Sequence, residues 1–219
     1  MKKLITLILS AVMMFTLAVG CVSASAATLH PRRSAPIVGG YTQAASPVVT
    51  PSIRELVSKA TDGLEGAEYT PVAVIDTQVV AGTNYRILCK ITPVVPNAQA
   101  TYNIVTIYED LQGNAKITDI QESNAIAGSN GWKETKTPVV TGLSKAVLKK
   151  ATAGLMDVGY TPVAAVEYKV GLGTVGYALL CRVSSITPNP QDNFVLLYVT
   201  SDILGNARIA SEADFTASK

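Results

Sequence analysis

The sequence predicts an α+β fold made of two tandem domains, each with one α-helix packed across a curved antiparallel β-sheet. Three observations predict it: an internal repeat, helical periodicity at the start of each copy, and alternating strand patterns after it. Since the order of these elements is the same in both copies, we expect the two domains to resemble each other.

The internal repeat covers most of the chain after its first 46 residues. Pro47-Val48-Val49-Thr50 recurs at 138–141, an offset of 91, and the segments 47–82 and 138–173 share 16 identities in 36 positions. One residue is then inserted and the offset becomes 92, so that Cys89 matches Cys181. A period this long is unsuited to a solenoid and suits small domains with modest cores. We predict domains at 47–123 (the first copy) and 138–219 (the second copy). A linker at 124–137, rich in Gly, Ser and Asn, joins them as a loop.

A helix is predicted at the start of each copy. In the first copy apolar residues recur at helical spacing at Ile53, Leu56, Val57, Ala60 and Leu64. The second copy repeats this spacing at Leu143, Val147, Leu148, Ala151 and Leu155. Thr50 is a suitable N-cap for the first helix, Pro51 suits its first turn and Gly63 suits its end.

Strands are predicted after the helix, at 72–80, 83–92, 102–109 and 115–120 in the first copy. In the strand predicted at 83–92, one face is expected to point toward a core. That face carries Tyr85, Ile87, Cys89 and Ile91. Arg86 and Lys90 lie on the other face, which the alternation predicts to be turned toward water. A turn at Gln112-Gly113-Asn114 joins the last two strands, because Gly and Asn accept a positive φ, and the second copy repeats it at 204–206.

Residues 1–26 predict a signal peptide. Lys2 and Lys3 precede an apolar run at 4–20, and Ala24-Ser25-Ala26 fits the pattern cut by signal peptidases, so we expect a secreted protein. A retained anchor is the alternative, since the run is just short of the about 20 residues that span a membrane. Cys21 ends a segment resembling a bacterial lipoprotein box, which leaves lipid anchoring at Cys21 open. Residues 27–46 form an N-terminal trunk and linker.

The mature composition excludes several function classes. Removing the leader takes away Lys2 and Lys3 and leaves 16 basic against 16 acidic residues, which argues against nucleic acid as a partner. His30 is the single histidine, so neither a histidine-dependent catalytic group nor a zinc site built from several histidines is expected. We therefore predict no enzymatic activity, no metal and no cofactor. Cys89 and Cys181 are expected to be buried thiols, with an interdomain disulfide as the alternative that export permits.

One hairpin stands out as a candidate binding surface. Between the first two strands lies the segment that we call the first tip, made of Gln78, Val79, Val80, Ala81 and Gly82. Turns are normally polar, whereas this one is small and apolar and carries a glycine suited to a tight bend. An apolar tip exposed to water indicates a surface that binds a partner.

At this point the sequence resembles the cystatins, and within them the stefin-like branch. The pattern Gln-x-Val-x-Gly is matched by Gln78, Val80 and Gly82, placed after one helix and between two strands. Gly39-Gly40 precedes the domain as the glycine of cystatin inhibitors does, and Leu111-Gln112-Gly113 resembles the Leu-Pro-Gly of the stefin second hairpin, with Gln112 in place of Pro.

The resemblance implies a reversible, competitive inhibitor of papain-like cysteine proteases that acts as a three-part wedge. Val38, Gly39 and Gly40 would lie along the non-primed subsites of the protease. The first tip would enter the cleft beside the catalytic cysteine, and Leu111, Gln112 and Gly113 would contact the primed side. The alternative is a cystatin-fold binding or surface module that does not inhibit proteases.

The second copy does not keep the Gln-x-Val-x-Gly pattern in its first hairpin. Its equivalent hairpin, which we call the second tip, consists of Lys169, Val170, Gly171, Leu172 and Gly173. We therefore expect inhibition to sit mainly in the first copy. Trp132 in the trunk of the second copy is either a partner anchor or a residue that packs against the first copy. The resemblance allows a monomer or a dimer formed by exchange of the hairpin.

Overall fold

The computed structural model describes residues 39–185 and 193–217, and these belong to one compact unit. Two antiparallel sheets and two α-helices form this unit, so the predicted α+β class is confirmed. The predicted signal peptide, Cys21, His30 and Val38 lie outside the described residues. Neither helix within the described ranges is long and apolar enough to cross a membrane.

The first copy forms one helix and a sheet of long strands. Its elements are β1 (Thr42–Gln43), α1 (Pro51–Ala60), β2 (Ala67–Val80), β3 (Gly82–Pro93), β4 (Thr101–Glu109) and β5 (Ala115–Glu122). Thr50 caps α1 as predicted, because its hydroxyl accepts a hydrogen bond from the Ile53 amide at 3.3 Å. The helix ends earlier than predicted: Thr61 is its C-cap, and Gly63 lies in the turn that follows.

The second copy repeats this order of elements. They are β6 (Lys133–Glu134), α2 (Gly142–Ala151), β7 (Val158–Gly171), β8 (Thr174–Ser185), β9 (Asn193–Asp202), β10 (Ala207–Asp214) and β11 (Thr216–Ala217). Thr141 and Ser144 form a reciprocal capping box at the start of α2. The predicted loop at 124–137 is more ordered than expected, since it contains β6 and a short 3-10 turn at Ser129–Gly131.

The strand order ties the two copies together. The first sheet runs β1-β2-β3-β4-β5-β11 and the second runs β10-β9-β8-β7-β6. The outermost strand of the first sheet, β11, comes from the C-terminal end of the second copy and pairs Thr216 with Glu122 of β5. The first sheet is therefore complete only when the second copy is present.

Each helix covers one face of its own sheet. In the first copy Leu56, Val57 and Ala60 of α1 pack on the β3 face that carries Ile87 and Cys89, as the alternation predicts. Cys181 occupies the matching place under α2. Both cysteines are free and fully buried, so the prediction of two buried thiols is confirmed. Burial raises the pKa of each thiol to about 12, which keeps it protonated and unreactive near neutral pH.

The opposite faces of the two sheets form a shared core. It contains Ala73, Ile75, Leu88 and Ile104 from the first copy, and Val166, Leu180, Phe194 and Leu196 from the second. The prediction that Arg86 points toward water is therefore wrong, since only 6% of that residue is exposed. Lys90, on the same face, is ion-paired with Glu134 of the second copy at 2.6 Å. The alternation correctly assigned the residues of β3 to two faces. The more polar face, which carries Arg86 and Lys90, is covered by the second copy.

Candidate functional site

Two hairpins and the start of the described chain meet at one end of the first sheet. The first tip joins β2 to β3, where Val80 lies opposite Gly82. The second turn, Asp110 to Asn114, leads from β4 into β5, and Glu109 beside it pairs with Thr83 of β3. On the other side β1 pairs with β2 through Thr42 and Thr77. The structure thus brings together the three predicted segments, except for Val38.

Gln78 links the trunk to the first tip. Its amide Nε2 donates a hydrogen bond to the carbonyl of Gly39 at 2.8 Å, and its Oε1 accepts one from Nδ2 of Asn84 at 2.7 Å. The side chain therefore holds the trunk on one side and β3 on the other. Gly40 continues the chain from this contact toward β1, half-buried.

The first tip presents an apolar surface on a braced backbone. The exposed fraction is 63% for Val79 and 43% for Val80, and Ala81 is exposed as well. Tyr108 of β4 donates a hydrogen bond from its hydroxyl to the Ala81 carbonyl at 2.6 Å. This bond fixes the end of the hairpin on which the two valines are exposed.

Gly82 is required by two features of this hairpin. Its φ is +132°, a conformation that side chains with a Cβ rarely adopt. A Cβ would also overlap the Glu109 carbonyl oxygen and would lie 2.9 Å from a ring carbon of Tyr108. The glycine therefore lets β2 and β3 close against the end of β4.

The second turn is held by a single carboxylate. One oxygen of Asp110 accepts from the amides of Gln112 and Asn114, each at 2.9 Å, and the other accepts from the Asn114 side chain at 2.8 Å. These bonds to Asn114 and Gln112 lower the pKa of Asp110. Gly113 takes a positive φ in this turn, as predicted, and Leu111 stands out with 79% of its surface exposed.

The trunk contact recurs in the second copy with different side chains. Lys169, which replaces Gln78, donates from Nζ to the carbonyl of Asn130 at 2.6 Å, and Asn130 is the equivalent of Gly39. Trp132 follows and packs edge-on against Tyr198, with ring centroids 5.0 Å apart. The ring therefore packs within its own copy, at the edge of the core cluster to which both copies contribute.

The second tip and its neighbouring turn also expose apolar side chains. Val170 is 74% exposed and Leu172 is fully exposed, while Ile203 and Leu204 of the adjacent turn are 82% and 81% exposed. Asp202 organises that turn with the same three bonds as Asp110. The tyrosine brace is missing, because Thr200 stands where the first copy has Tyr108.

Two buried acids that the sequence analysis missed lie just below the tips. Asp76 and Glu167 are equivalent at the offset of 91, and each follows a register shift in its strand. Bulges redirect side chains, and here they turn both acids toward the shared core. Acidic residues at matching places in two otherwise apolar strands were the available signal.

Asp76 is bound by two guanidinium groups. Arg86 forms a bidentate pair with it at 2.6 and 2.7 Å, and Arg182 of the second copy reaches the same carboxylate at 2.9 Å. The Arg86 group also lies 3.8 Å from the ring centre of Tyr41. This ion cluster connects the base of the first tip to the second copy.

Among the described residues, the carboxylate of Glu167 accepts fewer hydrogen bonds than that of Asp76. Its Oε1 accepts from the Tyr102 hydroxyl at 3.0 Å and from the Gly128 amide at 2.5 Å. Its Oε2 is buried, and no donor among the described residues lies within hydrogen-bonding distance. Burial raises the pKa of Glu167, although the bonds from Gly128 and Tyr102 act in the opposite direction.

Comparison with known proteins assigns no family. No family model matches the chain, and no curated protein matches it. Within 39–185 and 193–217, no three acidic, cysteine or histidine side chains lie close enough together to hold a metal ion.

Proposed function

We propose that this protein is a secreted, reversible and competitive inhibitor of papain-like cysteine proteases. In this proposal the two copies are cystatin-like domains, and the stefin-like wedge of the first copy carries the inhibition. The wedge consists of Val38, Gly39 and Gly40, the first tip, and the turn at Leu111, Gln112 and Gly113. The chain supplies no catalytic group and needs no cofactor.

The observation that carries the proposal is the braced apolar tip. Val79 and Val80 are exposed, while the Tyr108 hydroxyl and the tight fit of Gly82 hold the backbone beneath them. A hairpin fixed before binding loses little conformational entropy when it enters a cleft. Exposed valine side chains on such a tip are available for an apolar protease subsite.

The contacts beside the tip favour a wedge of three segments. The Gln78 amide holds Gly39 next to the tip, so the trunk and the hairpin are presented side by side. Leu111 is exposed on the neighbouring turn. A partner cleft that receives the first tip would therefore meet the trunk on one side of it and Leu111 on the other.

Inhibition of papain tests the proposal. The purified mature chain is mixed with papain, and hydrolysis of a small peptide substrate is followed at several substrate concentrations. We expect competitive inhibition. Val80→Asp should raise the inhibition constant about 30-fold or more, because a charge replaces an apolar side chain at the centre of the contact.

Leu172→Asp is the matched control, since it places the same charge on the exposed second tip. We expect it to leave the inhibition constant within about twofold of the parent value, because the wedge lies in the first copy. Gly82→Glu would be a poorer test of the wedge. Its Cβ would overlap the Glu109 carbonyl, so a loss of inhibition would also reflect a distorted hairpin.

A folded chain that leaves papain fully active at micromolar concentration contradicts the proposal for papain. Equal losses from Val80→Asp and Leu172→Asp would contradict the assignment to the first copy. If papain stays fully active, the remaining function is that of a cystatin-fold module that does not inhibit proteases and binds another partner.

A further inference from the structure

The second copy has a recess where the first copy has an aromatic ring. Tyr108 pairs with Lys116 across β4 and β5, and its equivalent Thr200 pairs with Arg208 across β9 and β10. The shorter side chain of Thr200 leaves the space over this part of the sheet unfilled. A recess of about 400 Å³ lies there, large enough for a bound side chain.

The walls of the recess correspond to the surroundings of Tyr108. Its lining residues include Thr200, Asp202, Asn206 and Arg208, which match Tyr108, Asp110, Asn114 and Lys116 at the offset of 92. Thr174 at the base of the second tip closes one side. The first copy thus shows which kind of group this scaffold holds at that place.

The chemistry of the walls favours an aromatic occupant. In the first copy the Lys116 ammonium lies 5.9 Å from the centre of the Tyr108 ring. The second copy has a guanidinium at the equivalent position, and guanidinium groups attract the electron-rich face of an aromatic ring. Thr174 and Thr200 also line this recess, and threonine hydroxyls can donate to or accept from a phenolic hydroxyl.

Apolar side chains around the recess indicate that the occupant belongs to a protein. Leu172, two residues before Thr174 of the recess wall, is fully exposed, and Ile203, next to Asp202 of that wall, is 82% exposed. A free aromatic molecule would fill the recess and leave these side chains in water. A protein segment with apolar residues beside its aromatic ring would cover them.

We propose that the recess at Thr200 and Arg208 binds an aromatic side chain of a partner protein, which takes the place that Tyr108 fills in the first copy. The second tip and the turn at Ile203 contact the residues on either side of that ring. This site is separate from the protease wedge and does not rest on protease inhibition.

Titration with small probes tests the site on the full mature chain. N-acetyl-L-tyrosinamide is added to the ¹⁵N-labelled protein, with N-acetyl-L-leucinamide as the control probe. We expect saturable shifts of the Thr174, Ser201, Asp202 and Arg208 amides with the tyrosine probe. The leucine probe should bind at least tenfold more weakly, because it lacks a ring face for Arg208.

Two variants exchange the equivalent residues of the two copies, so that each copy serves as a control for the other. Thr200→Tyr fills the recess from within, as in the first copy, and should abolish the shifts. Tyr108→Thr opens the matching space in the first copy and should add shifts at Glu109, Asp110 and Lys116. If Thr200→Tyr does not fold, Arg208→Gln is used instead, and it should weaken binding of the tyrosine probe at least threefold.

A separate test asks whether the aromatic ring in the recess belongs to a protein segment. The peptide acetyl-Ala-Leu-Tyr-Leu-Ala-amide should bind more tightly than N-acetyl-L-tyrosinamide, and Leu172→Ser should remove that gain. Equal binding of the tyrosine and leucine probes, or unchanged shifts in folded Thr200→Tyr, would overturn the site. Equal binding of the peptide and N-acetyl-L-tyrosinamide would overturn the assignment to a protein partner.

Discussion

The first and second tips end equivalent hairpins, yet they are built differently. In the first, Tyr108 and the tight fit of Gly82 brace a small tip that exposes two valines. In the second, Thr200 leaves a recess and Leu172 stands fully exposed. The trunk contact survives in both, through Gln78 or Lys169. The difference teaches that the copies keep the anchoring of the hairpin and differ in the surface that it presents.

The buried acids beneath the tips likewise share a position in the scaffold and differ in their surroundings. Asp76 and Glu167 occupy equivalent positions in the scaffold, but their partners come partly from the other copy and therefore differ. Asp76 has two guanidinium groups, whereas Glu167 has a hydroxyl, an amide and one oxygen without a donor among the described residues. The same neutralising substitution should consequently have opposite effects at the two sites.

Asp76→Asn should produce the largest effect. It removes the buried carboxylate that both Arg86 and Arg182 contact beside the shared core. Removing one member of a buried ion pair typically lowers the free energy of unfolding by about 3 kcal/mol or more. Urea unfolding at pH 7, followed by circular dichroism, measures the loss. A change below about 1 kcal/mol would contradict a structural role for this cluster.

Gly82→Ala should have the next largest effect and sharpens the contrast between the tips. The added Cβ meets the Glu109 carbonyl at a φ of +132°, so we expect the free energy of unfolding to fall by about 2–4 kcal/mol. Gly173→Ala is the matched change in the second tip. There φ is +70°, and the nearest atom is a methyl carbon of exposed Ile203 at 3.2 Å, which leaves a cost of about 1 kcal/mol. Equal losses, measured by urea unfolding, would show that the brace at Tyr108 does not distinguish the tips.

Glu167→Gln should have the smallest effect on the free energy of unfolding. Whether the substitution raises or lowers that free energy depends on pH. Because burial raises the pKa of Glu167 in the folded state above its ordinary value of 4.5, folding favours the protonated form. The stability that this group contributes is present below pH 4.5 and is lost as the pH rises through the raised pKa. The parent protein should therefore lose stability relative to Glu167→Gln as the pH rises above 4.5.

Urea unfolding of both proteins at several pH values measures this difference, in which the titration of all other groups cancels. The nearby charges are Glu134, which raises the pKa of Glu167, and Lys90, which lowers it. A difference between the two proteins that does not change with pH would mean that Glu167 titrates normally in the folded state.

Local structure was largely predictable because it rests on short-range chemistry. The N-cap at Thr50 and the turn at Gly113 follow from capping and from positive φ, and the structure contains both. The core face of β3 followed from alternation, since Cys89 and its neighbours are apolar at every second position. The first tip was found in the same way, from apolar residues where a turn is normally polar.

Other parts of the site could not be predicted, because they depend on contacts between distant segments. The Tyr108 brace joins residues from β4 and the first tip, and the second copy offers no tyrosine to mark the position. Asp76 is neutralised partly by Arg182, which lies 106 positions away in the chain. Periodicity within one strand carries no information about such a partner.

The sequence by itself determined the repeat, the order of helix and strands in each copy, and the apolar character of both tips. These properties follow from local preferences and from the spacing of apolar residues. Only the tertiary structure decided that the polar face of β3 is buried, that β11 completes the first sheet, and that Thr200 leaves a recess where Tyr108 fills one. The physical reason is that burial depends on what packs against a face, and here each copy packs against the other.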